Sequence, residues 1–267
     1  MSNVPTLFLN LLRGARAFLR WNPWKASRLV FEAFIIVYDF ERIRLWRDRR
    51  FDRKYHVSTS GFLTLQQLGM TAESDLSHNY RGTPVPLFRA ALKELPINWG
   101  TFSFVDYGSG MGKALLLAAA WPFREISGVE FSSELHAIAQ HNIEHWSLPE
   151  QRCFNVHAIL ADAATQPLPE GNCLLYFFNP FREALLREVL SHIVREGSSD
   201  KREIYIVYIH SSFPYVFRDY PQLKPVKLVR VITSLYEIYK LDTGAGSDPR
   251  PELSSESDHM VRGRERV

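Results

Sequence analysis

The sequence predicts an α/β domain on a seven-stranded sheet, with parallel strands finished by an antiparallel hairpin, helices on both faces and a helical extension at the N-terminus. Three observations carry that expectation. Between residues 101 and 210, five strand-like apolar runs alternate with stretches of helical length, the pattern of βα units whose right-handed crossovers make successive strands parallel. Two further strand-like runs in VKLVRVITSLYEIYKL (226 to 241) are separated by almost nothing, so they can pair only as a hairpin. Three glycines in five residues, Gly108, Gly110 and Gly112, follow the first of the five runs directly, where an α/β sheet presents a ligand to its strand ends.

Taken in order, residues 4 to 20 place Phe8, Leu11, Leu12, Ala15 and Leu19 on one helical face, with Arg13, Arg16 and Arg20 on another. WNPW (21 to 24) interrupts this, and Pro23 is suited to open a second helix over about 25 to 50. Residues 51 to 80 read as irregular, rich in Ser, Thr, Gly and His. VPLFRAALKELP follows as a helix closed by Pro96. Then come strand TFSFVD, helix MGKALLLAAAW, strand EISGVE, and helix SSELHAIAQHNIEHW with Ser132 or Ser133 as cap. FNVHAILAD, CLLYFF, a helix from Phe181 to Glu196, and EIYIVYIH complete the alternation. From Thr243 the composition turns to Gly, Ser, Asp, Arg and Pro, which predicts a disordered tail. The expected organisation is a basic helical extension over 1–54, an α/β domain over 55–242, and the tail over 243–267.

The 267 residues are 46% hydrophobic, enough for a full core. Net charge is only +3, but residues 1 to 54 hold twelve Lys/Arg against five Asp/Glu, so that segment carries +7 and the remainder −4. A basic front end with Trp21, Trp24 and Trp46 suits an anionic membrane surface; packing on its own domain is the plainer alternative. Nucleic acid is disfavoured, because the rest of the chain shows no interleaving of basic and aromatic residues. The apolar window Leu29–Phe40 contains Glu32 and Asp39 and is too short to span a bilayer. Cys153 and Cys173 are too few for a disulfide framework, which points to a reducing, cytoplasmic compartment. His141 and His145 have metal-like spacing but no third ligand, so no metal site is expected.

The glycine spacing separates three devices. A phosphate-binding P-loop needs glycine at position 107, which is Tyr107, and Ser or Thr after Lys113, which is Ala114. The dinucleotide fingerprint needs a third glycine at 113, which is Lys113, so that reading is weakened. What fits is Asp-x-Gly-x-Gly-x-Gly at a strand end, with Glu130 ending the next strand 24 residues after Asp106 and placed to accept from both ribose hydroxyls. An adenosine ligand with a short amino-acid arm suits this better than a dinucleotide.

At these residues the chain resembles the class I S-adenosylmethionine (SAM)-dependent methyltransferases, whose fold is Rossmann-like. VDYGSGMG matches that family's first motif, GVE its second, Ala161–Ala163 (ADA) its third and Asn179–Phe181 (NPF) its fourth, over about Tyr80 to Leu241. The chain is also similar to bacterial methyltransferases of unassigned substrate and, more distantly, to non-SET lysine methyltransferases. The resemblance implies S-adenosyl-L-methionine as cofactor. Asp106 would hold its amino group, Gly108 and Gly110 would pass beneath it, and Glu130 would hold the ribose. Phe131 would stack on adenine, Asp162 would accept from the adenine amine, and Tyr80 would belong to a lid. Asn179, Pro180 and Phe181 would orient the acceptor, an unidentified group with a protein or small-molecule nitrogen foremost, and His210 could remove a proton. The related motif carries two prolines; here Arg182 follows the single proline, which puts nitrogen specificity in doubt. A non-catalytic SAM-binding scaffold is the alternative, and an NAD-dependent oxidoreductase fits the sheet but not position 113.

Overall fold

The computed structural model describes residues 43–63, 80–198, 202–231 and 234–243. The expected helix over 4 to 20, the WNPW turn and the tail from 244 lie outside the described residues. Helix α1 (43–55) comes first. A two-stranded antiparallel ladder of β1 (Phe62–Leu63) and β2 (Tyr80–Arg81) and helix α2 (Val85–Lys93) precede the main sheet. The sheet alternates β3 (Phe102–Tyr107), α3 (Lys113–Ala118), β4 (Glu125–Glu130), α4 (Ser133–His145), β5 (Val156–Leu160), β6 (Asn172–Phe178), α5 (Glu183–Gly197) and β7 (Ile204–Ile209). The hairpin β8 (Leu223–Val231) and β9 (Ser234–Leu241) ends it.

The order across the sheet is β5-β4-β3-β6-β7-β9-β8, with β9 antiparallel to β7. Numbered from β3, this is 3-2-1-4-5-7-6, the Rossmann order with an antiparallel strand inserted before the last position. The strand order reverses between β3 and β6, which pair in parallel from Phe102↔Asn172 to Tyr107↔Phe177. At such a switch point the two crossovers leave in opposite directions and open a crevice at the carboxyl ends.

The central strands β3, β6 and β7 are largely apolar on both faces because both are covered. Phe104, Tyr176, Val207 and Ile209 pack with Phe88, Leu115 and Ala118 on one side. Tyr107, Leu175, Phe177 and Tyr208 pack with Leu186, Val189 and Ile193 on the other. Full burial of each large side chain stabilises the domain by about 1.5–3 kcal/mol. Ser132 caps α4, its hydroxyl accepting from Leu135 N–H at 3.3 Å, as the sequence predicts.

Several boundaries differ from expectation. The irregular reading of 51 to 55 gives way to helix, and the division at residue 54 falls inside α1, whose inner face packs on the sheet domain. Helix α5 starts at Glu183 rather than Phe181, because Asn179 turns the chain through a left-handed conformation (φ 45°) first. Pro225 is accommodated in β8 at a register shift against β9, the irregularity a strand proline calls for. Among the described residues, no helix is long and apolar enough to cross a membrane.

Candidate functional site

The turn leaving β3 is built by hydrogen bonds that fix its path across β4. Gly108 N–H and Ser109 N–H both donate to Val129 O, at 2.9 and 3.1 Å, and Gly112 N–H donates to Ser109 O at 2.9 Å. Gly108, Gly110 and Gly112 all have positive φ (75°, 55° and 81°), which glycine adopts without strain. Two of them are also pressed from above. A Cβ on Gly108 would lie 2.4 Å from Pro180 Cβ, and one on Gly110 would lie 2.3 Å from the Tyr80 ring. The turn therefore needs these glycines for conformation and for space.

Two carboxylates flank it. Glu130, ending β4, accepts Gly110 N–H through Oε2 (2.8 Å) and Ser132 N–H through Oε1 (2.9 Å). Burial raises its pKa and these N–H bonds oppose the rise. Asp106 is 3% exposed and, among the described residues, accepts no hydrogen bond and forms no ion pair. Burial pushes its pKa well above the usual carboxylate range, and the nearby Glu130 adds to the rise. Neither acid is bonded to a cation among the described residues, so a cation entering the crevice would favour their ionised forms.

The other residues expected to face a cofactor fall nearby. Tyr80 lies over Gly110, buried with Met111 and Leu135, and its hydroxyl donates to Thr59 O at 2.8 Å. Phe131 follows Glu130 and is 64% exposed, so it is not a core aromatic. Asp162 is exposed beyond the end of β5; its Oδ1 accepts Ala164 N–H at 2.9 Å, a turn-capping bond that leaves Oδ2.

Asn179 and His210, expected from the sequence to face an acceptor, directly follow the adjacent strands β6 and β7, and both are left-handed (φ 45° and 54°). Such backbone is uncommon outside glycine and concentrates at functional sites. Asn179 does not cap α5; its Oδ1 accepts from Tyr208 O–H (3.3 Å) and Ser212 N–H (3.1 Å). Pro180 roofs Gly108. Phe181 is 5% exposed and packs edge-on to Phe177 in the core, so its ring is not presented to the crevice with the others. His210 lies beside Phe178; burial first, then Arg81 and Arg44, lower its pKa to about 4, so it is neutral at pH 7.

The sequence reading missed what fastens the cover over this turn. Lys113, directly after Gly112, is 1% exposed and its Nζ pairs with Asp48 on α1. Asp52, one turn further on α1, accepts from Thr59 N–H, Thr59 O–H and Ser60 N–H. Asn142 on α4 donates to Ser58 O and Met111 O and accepts Ser58 N–H. These acids sit in a charged stretch indistinguishable by pattern from a solvated helix. Lys113 offered one signal, a lysine at the start of an otherwise apolar helix.

Comparison with solved structures finds likenesses of fold. One is an RNA methyltransferase from Salinibacter ruber in complex with S-adenosyl-L-homocysteine (14% identity over 60% of this chain and 94% of that one, TM-score 0.44). Another is a putative methyltransferase from Escherichia coli (14%, 59% and 86%, TM-score 0.45). A third is a putative methylase from Haemophilus influenzae (13%, 68% and 99%, TM-score 0.43). No protein-family model and no curated protein matches the chain. Overlaps this loose assign neither activity nor acceptor; the strand pairing and the crevice residues stand on the geometry described above.

Proposed function

We propose that the protein binds S-adenosyl-L-methionine in the crevice between β3 and β6 and transfers its methyl group to an acceptor lying over the ends of β6 and β7. The supporting observation is the pair Asp106 and Glu130, buried, flanking the glycine turn and bonded to no cation among the described residues. A dinucleotide would bring its pyrophosphate against two carboxylates, which is repulsive. Lys113, the one lysine of the turn, is already paired with Asp48 and cannot neutralise a phosphate. A ligand bearing an ammonium and a sulfonium complements the same charge.

When bound, S-adenosyl-L-methionine supplies a methyl group already activated by its positive sulfur, so the protein's work is alignment and exclusion of water. Asp106 accepts from the ligand's ammonium. Each Glu130 oxygen has one further lone pair beyond its N–H bond, enough to take the two ribose hydroxyls. Phe131 offers a ring face to adenine, and Asp162 Oδ2 accepts from the exocyclic amine. Tyr80, held by Thr59, closes the turn from above.

For the acceptor, the reading is a nucleophilic nitrogen whose proton passes to His210, which is unprotonated at neutral pH. Asn179 contributes its amide donors and backbone, since its side-chain oxygen is held by Tyr208 and Ser212. The test is transfer of radiolabelled methyl from S-adenosyl-L-methionine to fractionated cell extract. Incorporation by the wild type and its loss in Glu130→Ala support the reading; a wild type that binds the cofactor yet labels no fraction favours the scaffold alternative.

A further inference from the structure

The two faces of α1 have opposite chemistry. Its inner face carries Asp48, Asp52, Phe51 and Tyr55, all engaged with the domain. Its outer face exposes Arg47, Arg49, Arg50 and Arg53, with Ile43 and Trp46 50% and 54% exposed between them. At about 100° per residue these six fall on one side of the helix, away from both acids. Among the described residues none of the four arginines forms an ion pair; Arg50 lies over the Trp46 ring at 5.6 Å. Lys54 and, from α2, the exposed Arg89 continue the positive field at one end, where Glu150 is an opposing charge felt by Lys54.

We propose that this outer face of α1 is a docking surface for anionic lipid headgroups, laying the helix along a membrane surface. Four cations with no acid among them complement an anionic surface, and a flat helix face suits a plane better than a groove. The apolar pair decides between lipid and nucleic acid. Ile43 and Trp46 can enter the headgroup boundary while the arginines stay at phosphate level, whereas a phosphate backbone offers Ile43 nothing. Because Asp48 on the opposite face holds Lys113 beside the glycine turn, the docked helix would carry the crevice at a fixed orientation to the membrane. The inference is independent of which ligand the crevice takes.

The test is co-sedimentation of the full chain with phosphatidylcholine vesicles, with and without phosphatidylglycerol, at low and high salt. The wild type is expected to bind only the anionic vesicles and to release in high salt. Arg47→Gln, Arg50→Gln and Arg53→Gln together are expected to weaken partitioning on the order of 100-fold. The triple Lys variant at the same positions retains it, which separates lost charge from a disturbed helix. Trp46→Ser is expected to weaken it several-fold. Wild-type and triple-Gln partitioning that are equal, or equal binding to neutral vesicles, would overturn the proposal. So would a structured RNA that strips the wild type from vesicles and fails to bind the triple-Gln variant, because the face would then belong to nucleic acid.

Discussion

Asp106 sets a conflict between stability and binding at the level of one side chain. Its pKa is raised in the folded chain by burial and by Glu130, against about 3.9 unfolded. Between those two values the folded state holds more protons than the unfolded, so Asp106 makes stability fall as pH rises through that window, and the deficit persists above it. A bound cation reverses the preference and favours the ionised form. Asp106→Asn is therefore expected to raise the melting temperature of the ligand-free protein at neutral pH, at about 2–4 °C per kcal/mol recovered, while losing most affinity for S-adenosylhomocysteine. For the wild type, affinity should strengthen as pH rises through the raised pKa. Calorimetric melting and binding titrations across pH check both; a lower melting temperature in Asp106→Asn would show that the carboxylate is stabilising after all. Gly110→Ala is a steric counterpart. A methyl group 2.3 Å from the Tyr80 ring must displace that ring, so binding should weaken even though no polar contact is removed, and Tyr80→Ala on the same background should restore part of the loss in the same titration.

At the level of elements, α1 is joined to the glycine turn through one buried ion pair. Removing one partner of such a pair leaves a charge uncompensated and costs about 3–5 kcal/mol, whereas replacing both with apolar groups is close to neutral. Asp48→Asn should therefore lower the melting temperature by roughly 10 °C, and Asp48→Leu with Lys113→Met should recover part of it in thermal denaturation followed by circular dichroism, since Arg44, 3.6 Å from Asp48, also loses a partner. What the sequence disclosed at this scale followed from periodicity. The βα alternation, the hairpin and a serine cap at 132 or 133 were legible because each is a local pattern with a local cause. Helix α1 beyond residue 50 and the β1–β2 ladder were not. Their stability comes from contacts far along the chain, Lys113 to Asp48 and Asn142 to Ser58, which no window of neighbouring residues contains. Asn179 and Phe181 show the same limit: both were legible as a strand-end motif, but only packing reveals that one oxygen is already bonded and one ring is in the core.

For the whole molecule, the sheet order places its ligand crevice where strand direction of travel reverses, and both carboxylates and all three glycines converge there from β3 and β4 alone. That convergence was readable in the sequence because each residue sits at a strand's carboxyl end. The cover and the far side of the crevice were not, since they are made by the segment around Tyr80 and by the residues after β6 and β7. The core around the sheet is closed enough to shield both thiols: Cys153 and Cys173 are 3% and 0% exposed, and burial pushes the Cys173 thiol up to about 12. Neither should react with Ellman's reagent in the native protein, and both should after denaturation in guanidinium; rapid native reaction of Cys173 would mean that the sheet opens far more readily than this packing implies. In the proposed reading, Asp106 and Glu130 together hold the adenosyl ligand at the switch point. Isothermal titration of S-adenosylhomocysteine into wild type and Glu130→Ala tests it most directly. The expected result is one site per chain in the wild type and at least a tenfold loss in the variant, the weight of one hydrogen bond to a charged group; no binding to the wild type, or equal binding to both, would rule the reading out.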